Sequence, residues 1–554
     1  MILLSSQDKM KISLISLFPD IHCFGIRTLS ACLKQEGHDV DLFFLSKQYW
    51  EKYDKRTLDE LAKLTEKSDL IGISLMTNFF DNAIQVTRKL RDNSNAHILW
   101  GGVHPTVRPE ECLDYADIVA IGESEQALVE ITRKIQSKQY YYDTRGMWFR
   151  DKEKIIKNAN QPLPGSPGSM YKHLDQVPFQ DYDYDTHFIL RGDGIQKMDI
   201  KLMKRLLDVY LTMPTRGCPF ACTFCVNNYF LKMHPHQKPI RKRSVDHIIK
   251  EIVDAKTRFP FIEFIKFEDD AFFLMSREEM KDFSIQYKEK VKLPLIILGA
   301  TPSTLTKEKF SLMVDAGLWE IRMGIQSAGT NTKRIFKRPH SNKRVFHATN
   351  IANRFKHKVR AKYDVIIDSP WETDQDQIET LMFLAKIKTP WLLNLFSLSF
   401  YPGTDLYDRA KKDGIITDDL NEVYRKSFHG YRKTYLNALF FILKDYVEIG
   451  LGIHPKIMSL LTNQSMMKLR MHKLLFIILK KIFIVAYPIF RAKRLIQLSF
   501  SDLKEGNLTR IKMHLRKKNI FLGFFSPKRS MSNIDLKPKE SITNKDRMSP
   551  ADFD

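Results

Sequence analysis

Cysteine is scarce in this chain: six among 554 residues. So few thiols in so long a chain exclude a disulfide framework as its source of stability. No stretch offers about 18 uninterrupted apolar residues, which speaks against a transmembrane helix. The opening string MILLSSQDKMKISLISLFPD breaks its apolar runs with Asp8, Lys9 and Lys11 and so lacks the form of a secretory signal. No G-x-G-x-x-G follows the first predicted strand, which weakens a dinucleotide-binding reading of the front of the chain. Acidic residues are outnumbered, 65 against 88 Lys and Arg, and between Ile449 and Ser501 there is no Asp or Glu at all against nine basic residues. No internal repeat is visible.

The formal charge of +23 implies an anionic partner, nucleic acid or a membrane surface, and charge alone does not choose between them. The length implies two folded domains plus extras, and 43% apolar residues are ample for their cores. Of the six cysteines, Cys23, Cys32 and Cys112 are scattered, whereas Cys218, Cys222 and Cys225 fall within eight residues. Clustered thiols favour a metal site in a reducing compartment, here the cytoplasm. Their string, TRGCPFACTFC, has C-x3-C-x2-C spacing. Three thiolates on one tight loop can ligate three irons of a cubane cluster, leaving the fourth open to a chelating substrate. Phe220 and Phe224 between them would keep water away and so influence its potential. The alternative is a structural zinc site with His234 or His236 as fourth ligand, although its second paired knuckle is missing.

Apolar runs alternate with helical patterns through residues 10–135. KISLISLF, VDLFFL, LIGISLM, HILWGG and IVAIG read as strands; GIRTLSACLKQEG, NAIQVTRKLRDN and SEQALVEITRKI read as helices. This alternation predicts an α/β, doubly wound, Rossmann-like domain at 8–140. Residues 141–205 have little periodicity and read as a linker. Six strand candidates follow within 206–420, starting at 209, 264, 295, 320, 362 and 393, with helices between them. They predict a partial (β/α)6 TIM-like barrel, with function at the C-terminal strand ends. Residues 421–525 read as a helical, basic and apolar extension, and 526–554 as a disordered tail.

C-x3-C-x2-C directly after a first barrel strand, followed by five more β/α units, resembles the radical SAM superfamily. In that superfamily the open iron binds the amino and carboxylate groups of S-adenosylmethionine (SAM), and reductive cleavage yields methionine and a 5′-deoxyadenosyl radical. The resemblance implies a 4Fe-4S cluster on Cys218, Cys222 and Cys225, SAM, and a reductant such as ferredoxin or flavodoxin. EDDAFF ends the second strand, so Glu268, Asp269 and Asp270 are candidates for the SAM ammonium or ribose; a solvated acidic strand end is the plainer account. MGIQSAGTN ends the fourth, with Gln326 where the related string carries Glu; Gln326 and Ser327 could bond SAM or be a buried polar strand end. YDVIIDSPWET and YPGTDLYDRAKKDGI resemble strings of the same subgroup, with Pro402, Gly403 and Thr404 a structural turn. Arg241 or Arg243 could meet a carboxylate, and Ser244 as a helix cap beside exposed arginines explains them equally.

ILWGGVHPTVRPEECLDYADIVAIGESEQALVEI resembles the cobalamin-binding domain fused to many radical SAM enzymes. There Gly101 and Gly102 would let the backbone approach the corrinoid's nucleotide tail, with Gly122, Glu123 and Glu125 in the neighbouring loop and Ser124 where the family often has Gly. DIHCFG satisfies the D-x-H-x-x-G of another cobalamin-binding family, making His22 a candidate cobalt ligand with Asp20 as its partner. The corrinoid subgroup of radical SAM enzymes usually lacks that histidine, Met76 departs from the accompanying Ser-x-Leu, and His22 lining a cleft is the alternative. A vestigial, empty domain is the other reading.

The stretch 474–490, LLFIILKKIFIVAYPIF, is interrupted by Lys480 and Lys481, each costing about 2.5–3.5 kcal/mol at a bilayer centre. It fits an interfacial helix on anionic lipid at the inner membrane face better than a span, or else a helical cap on the barrel. Nucleic acid is disfavoured because no aromatic-interleaved basic motif appears. The expectation is a cobalamin-dependent radical SAM methyltransferase acting on an unactivated carbon of an unread, slightly lipid-like substrate. Cyclisation, rearrangement or oxidoreduction without methyl transfer, and a non-catalytic zinc- or cluster-binding protein at a membrane or nucleic acid, are the alternatives.

Overall fold

The computed structural model describes residues 9–468, together with Lys481 and Ile496. These fall into two compact units: one runs to Asp364 and includes Ser399–Lys426, and the other comprises Val365–Leu398 and the described residues from Ser427 onward.

The first unit begins with a parallel core of β1 (Lys11–Ser16), β2 (Asp39–Phe44), β3 (Leu70–Ser74), β4 (His97–Gly101) and β5 (Ile118–Ala120). β1 pairs with β2 and β3, β3 with β4, and β4 with β5. Runs such as KISLIS and LIGIS are apolar with little alternation because helices cover both faces of such a sheet. The helices Phe24–Gln35, Phe80–Arg91 and Glu125–Gln136 are amphipathic, burying Leu33, Val86 and Ile131 on their inner faces. The first stops where Gly37 takes a positive φ of 91°.

Residues 141–205 are not the expected linker. They supply β6 (Met147–Asp151), β7 (Lys154–Lys157), β8 (His187–Arg191) and β9 (Gly194–Lys197), which extend the sheet at both edges to nine strands. β6 is antiparallel to β5, and β8 is parallel to β2. The pattern is faint because these strands are only four or five residues long, and an edge is half solvated.

The second half of this unit sets β10 (Val209–Thr212), β13 (Phe264–Phe267), β14 (Leu295–Ala300) and β15 (Leu318–Gln326) side by side in parallel. A two-stranded antiparallel ribbon, β11 (Thr215–Arg216) with β12 (Arg241–Lys242), lies between β10 and β13 in sequence. β16 (Arg360–Ile367) crosses from the first unit to the second, and β17 (Leu392–Ser397) belongs to the second, so the six predicted barrel strands all form.

In the second unit the helix Tyr435–Glu448 is capped by Thr434, whose side chain accepts from Asn437 N. Asn437 in turn donates from Nδ2 to Asp368 Oδ1 at 2.6 Å, fixing that helix to the end of β16. Short helices Pro455–Leu461 and Gln464–Lys468 follow, in line with the helical reading of this region. The 474–490 stretch, apart from Lys481, and the 526–554 tail lie outside the described residues. Among the described residues no helix is long and apolar enough to cross a membrane.

Candidate functional site

The cysteine loop leaves the ribbon through Gly217, whose φ is +91° and whose Cβ, if it had one, would fall on the Pro239 carbonyl oxygen. Only glycine fits there. Asp269, at 2% exposure, holds the start of the loop: its carboxylate accepts from Thr215 N at 2.6 Å, Thr215 Oγ1 at 2.8 Å and Ala271 N at 2.7 Å. Burial pushes its carboxyl up to about 6 despite these donors. Cys225 N donates to Cys222 O at 3.1 Å, closing the turn between these two cysteines. The far side of the loop is tied to the segment after β15, where Thr223 Oγ1 donates to Ile335 O at 2.8 Å. Arg338 donates to Cys222 Sγ at 3.4 Å and to Gly324 O at 2.8 Å. The ring of Phe220 meets His340 at 5.6 Å and that of Phe224 meets Phe336 at 5.2 Å, so aromatic edges wall the loop.

Burial raises Cys218 to about 11 and Cys225 to about 12. Such thiols ionise near neutral pH only when a cation pairs with them, which a cluster iron does. Among the described residues no three His, Cys, Asp or Glu side chains converge on a single ion. Three thiolates on one loop can each ligate one iron of a cubane. The donor set fits the cluster.

The residues expected at SAM are in different situations. Asp270 accepts from Asn227 Nδ2 at 2.7 Å and lines the cavity described below together with Cys218. Glu268 pairs with Lys266 at 2.5 Å. Asp269 is spent on the loop backbone and Thr215, so it shapes the site without facing a ligand. Gln326 has a φ of +65°, and its amide folds back against Gly324. Ser327, 1% exposed, accepts from Gly329 N at 3.1 Å and shapes the turn after β15. Inspection of the strings missed Arg338 and also two ion pairs on neighbouring strands, Arg322 with Asp364 at 2.6 Å and Lys362 with Glu320 at 2.8 Å. Charges at alternate positions within β15 were the signal available for them.

A cavity of about 350 Å³ joins the front sheet to this loop. Its size lies within the usual range for ligand pockets. Its lining is largely apolar and includes Leu14, Ile26, Leu29, Leu99 and Leu128 together with Gly72. A Cβ on Gly72 would approach Leu14 Cδ2 to 2.8 Å, so a larger residue there would displace the Leu14 side chain. Gly101, Gly102 and Gly122 of the front domain line it, as do Arg216, Gly217, Cys218 and His234 on and after the ribbon. Gly102 takes φ +105°, with a hypothetical Cβ 2.6 Å from Leu75 O; Gly122 N donates to Thr106 Oγ1 at 2.9 Å. An apolar lining with glycines that allow close main-chain approach fits a corrinoid with its nucleotide tail.

Two residues expected at the corrinoid have their polar atoms directed at protein partners. His22 places Nε2 3.0 Å from Val209 O and Nδ1 3.6 Å from Asp20, and it is not among the residues lining the cavity. Both ring nitrogens are thus directed at protein oxygens. Glu123 gives both carboxylate oxygens to Arg216 and Arg241, and all three residues line the cavity. Arg243 is likewise taken, pairing with buried Glu251 at 2.7 Å; Ser244 caps its helix, but Arg241 and Arg243 beside it are buried by their carboxylate partners rather than exposed as expected.

Two family models match: "B12 binding domain" over residues 10–132 and "Radical SAM superfamily" over residues 212–384. An uncharacterized methyltransferase of Pyrococcus horikoshii, PH0819, is 23% identical over 69% of this chain and 80% of its own. The cytidylyl-2-hydroxyethylphosphonate methyltransferase of Streptomyces wedmorensis is 25% identical over 59% of this chain and 66% of its own. Among solved structures, the radical SAM methyltransferase TsrM of Kitasatospora setae superposes with TM-score 0.56 at 16% identity, covering 73% of this chain and 76% of that one. The cobalamin-dependent SAM radical enzyme OxsB superposes with TM-score 0.61 at 13% identity, covering 92% and 84%. The chain is a radical SAM enzyme that carries a B12-binding domain, and its cofactors are a 4Fe-4S cluster, SAM and cobalamin.

Proposed function

We propose that this enzyme transfers a methyl group to an unactivated carbon of its substrate. The observation that carries this reading is that one cavity is lined both by glycines 101, 102 and 122 and by Cys218 and Asp270. Methyl transfer at such a carbon needs a corrinoid and a cluster-bound SAM close to one another. When bound, these groups supply a radical that removes hydrogen and a methyl group to replace it. In this reading Cys218, Cys222 and Cys225 hold the cluster, and the Arg338 guanidinium steadies the charge on Cys222. Asp270 and Glu268 receive the polar parts of SAM. Gly101, Gly102 and Gly122 let the main chain approach the corrinoid tail, and no axial histidine comes from His22.

The reductant is a small electron carrier such as ferredoxin or flavodoxin. The charge pattern of 474–490 supports peripheral contact with anionic lipid at the inner membrane face and a lipid-like substrate. Vesicle flotation tests this, and protein that stays with the soluble fraction at low salt opposes it.

The decisive experiment is anaerobic reconstitution with SAM labelled in its methyl group and a small-molecule extract as the source of substrate. Label in a product other than methionine, together with 5′-deoxyadenosine, is the expected result. 5′-Deoxyadenosine without label in product favours the second reading, radical cyclisation or rearrangement. That reading is supported by 22% identity over 57% of this chain to the anaerobic magnesium-protoporphyrin IX monomethyl ester cyclase of Cereibacter sphaeroides, 49% of whose length is matched. A colourless protein with one zinc and no SAM cleavage refutes both.

A further inference from the structure

The ribbon that precedes the cysteines carries an electrostatic problem that it cannot solve by itself. Arg216 and Arg241 are direct register partners across β11 and β12. Like charges opposite each other destabilise a strand pair. Both side chains are nearly enclosed, at 10% and 4% exposure, where an unpaired cation is costly. The ribbon itself, Thr215–Arg216 with Arg241–Lys242, contains no carboxylate.

The carboxylates come from the front domain, 118 and about 90 residues away in sequence. Glu123 Oε2 accepts from Arg216 Nη1 at 2.8 Å and from Arg241 Nη1 at 2.9 Å, while Oε1 accepts from Arg241 Nη2 at 2.5 Å. Glu125 Oε1 takes a further bond from Arg216 Nη1 at 2.6 Å. Two cations and two anions close a neutral cluster. Burial opposes the Glu123 charge, and the two guanidiniums outweigh it, holding the carboxyl down at about 2.

The position of this cluster matters as much as its charge. Glu123 directly follows Gly122 on the loop after β5, and both line the cavity assigned to the corrinoid. Arg216 directly precedes Gly217 and Cys218, and Gly217 is wedged against the Pro239 carbonyl, so the loop has little room to absorb a shift. A ligand bearing on the loop at residues 122–124 therefore acts on a carboxylate that is rigidly linked to the first cysteine. Resting on the corrinoid reading above, we infer that Glu123 is a positioning residue: by bridging Arg216 and Arg241 it couples occupancy of the cavity to the SAM-binding geometry of the cysteine loop.

Such coupling is reciprocal. The test uses the full chain with its cluster reconstituted anaerobically. SAM affinity is measured with and without hydroxocobalamin, and hydroxocobalamin affinity with and without SAM. Wild type should bind SAM about fivefold or more tightly when hydroxocobalamin is present, with the same factor in the reverse titration. Glu123→Gln keeps the shape and removes the charge. It should still take up iron and hydroxocobalamin, while both factors fall to within about twofold of one. A Glu123→Gln variant with the wild-type factor overturns the inference, even if both affinities weaken, because uniform weakening is what a merely structural role produces. Wild type with a factor of one overturns it as well. If Glu123→Gln fails to load iron, Glu123→Asp keeps the charge and shortens its reach; an intermediate factor supports the coupling and an unchanged one refutes it. Wild type that forms 5′-deoxyadenosine and labelled product without any coupling refutes this inference alone, whereas wild type that binds no hydroxocobalamin refutes the corrinoid reading beneath it.

Discussion

Gly101 and Gly102 are adjacent, yet the structure asks different things of them, and alanine at each separates folding from cofactor binding. Gly102 has φ +105° and ψ −166°, an extended region open essentially to glycine alone that costs an alanine about 1–3 kcal/mol. Its new Cβ would also stand 2.6 Å from Leu75 O and 3.3 Å from Leu75 N. Relief requires moving the end of β3, where Leu75 N donates to Gly101 O at 3.0 Å, and a net hydrogen bond is worth about 1 kcal/mol. Gly102→Ala should therefore cost roughly 2–4 kcal/mol, a fall in melting temperature of about 4–16 °C for a domain of this size. At Gly101 an added Cβ meets Ala120 Cβ at 3.6 Å and Leu99 Cδ2 at 3.9 Å, which is ordinary contact, and no positive φ is involved. All three residues line the cavity, so Gly101→Ala should melt within about 2 °C of wild type while binding hydroxocobalamin more weakly. Thermal unfolding of the cofactor-free chain, followed by absorbance titration with hydroxocobalamin, checks both halves. Equal destabilisation by the two alanines, or undiminished corrinoid binding by Gly101→Ala, refutes the reasoning.

Three further outcomes are expected. Replacing Cys222, the buried cysteine bonded by Arg338, with alanine should take iron from about four atoms per chain to near zero by colorimetric assay; retained iron would mean that other residues hold the cluster. Asp269→Ala leaves the Thr215 and Ala271 amides without their acceptor, at about 1–3 kcal/mol each, and should lower both melting temperature and iron uptake, whereas a variant with wild-type values would show that the loop does not depend on this carboxylate. His104 is fully enclosed, with rings of Phe80 at 4.9 Å and Tyr424 at 5.0 Å, and burial lowers it to about 3, with Arg108 adding to the effect. Its folded value lies below the unfolded one near 6.5, so its contribution to stability is present above pH 6.5 and lost as pH falls toward 3. By pH 4.5 that loss is roughly 3 kcal/mol, and His104→Asn should flatten the melting-temperature profile over this range; an unchanged profile would count against the buried neutral ring.

The sequence by itself determined what depends on neighbours in the chain. The C-x3-C-x2-C loop, the apolar strand runs from KISLIS to LNLF, and the glycines at 101, 102 and 122 are local patterns, because strand period, turn conformation and close backbone approach are set within a few residues. Tertiary structure decided the partners of charged and polar side chains, which are chosen by space. Glu123 has the look of a cofactor contact until Arg241, 118 positions later, closes on it. His22 sits in a D-x-H-x-x-G string, but the carbonyl it meets belongs to Val209, 187 residues away. Asp269 stands in an acidic strand end, yet burial and three donors turn it inward. The 141–205 stretch became strands only because the open edges of the front sheet offered unpaired backbone, a template that no pattern within four-residue segments announces.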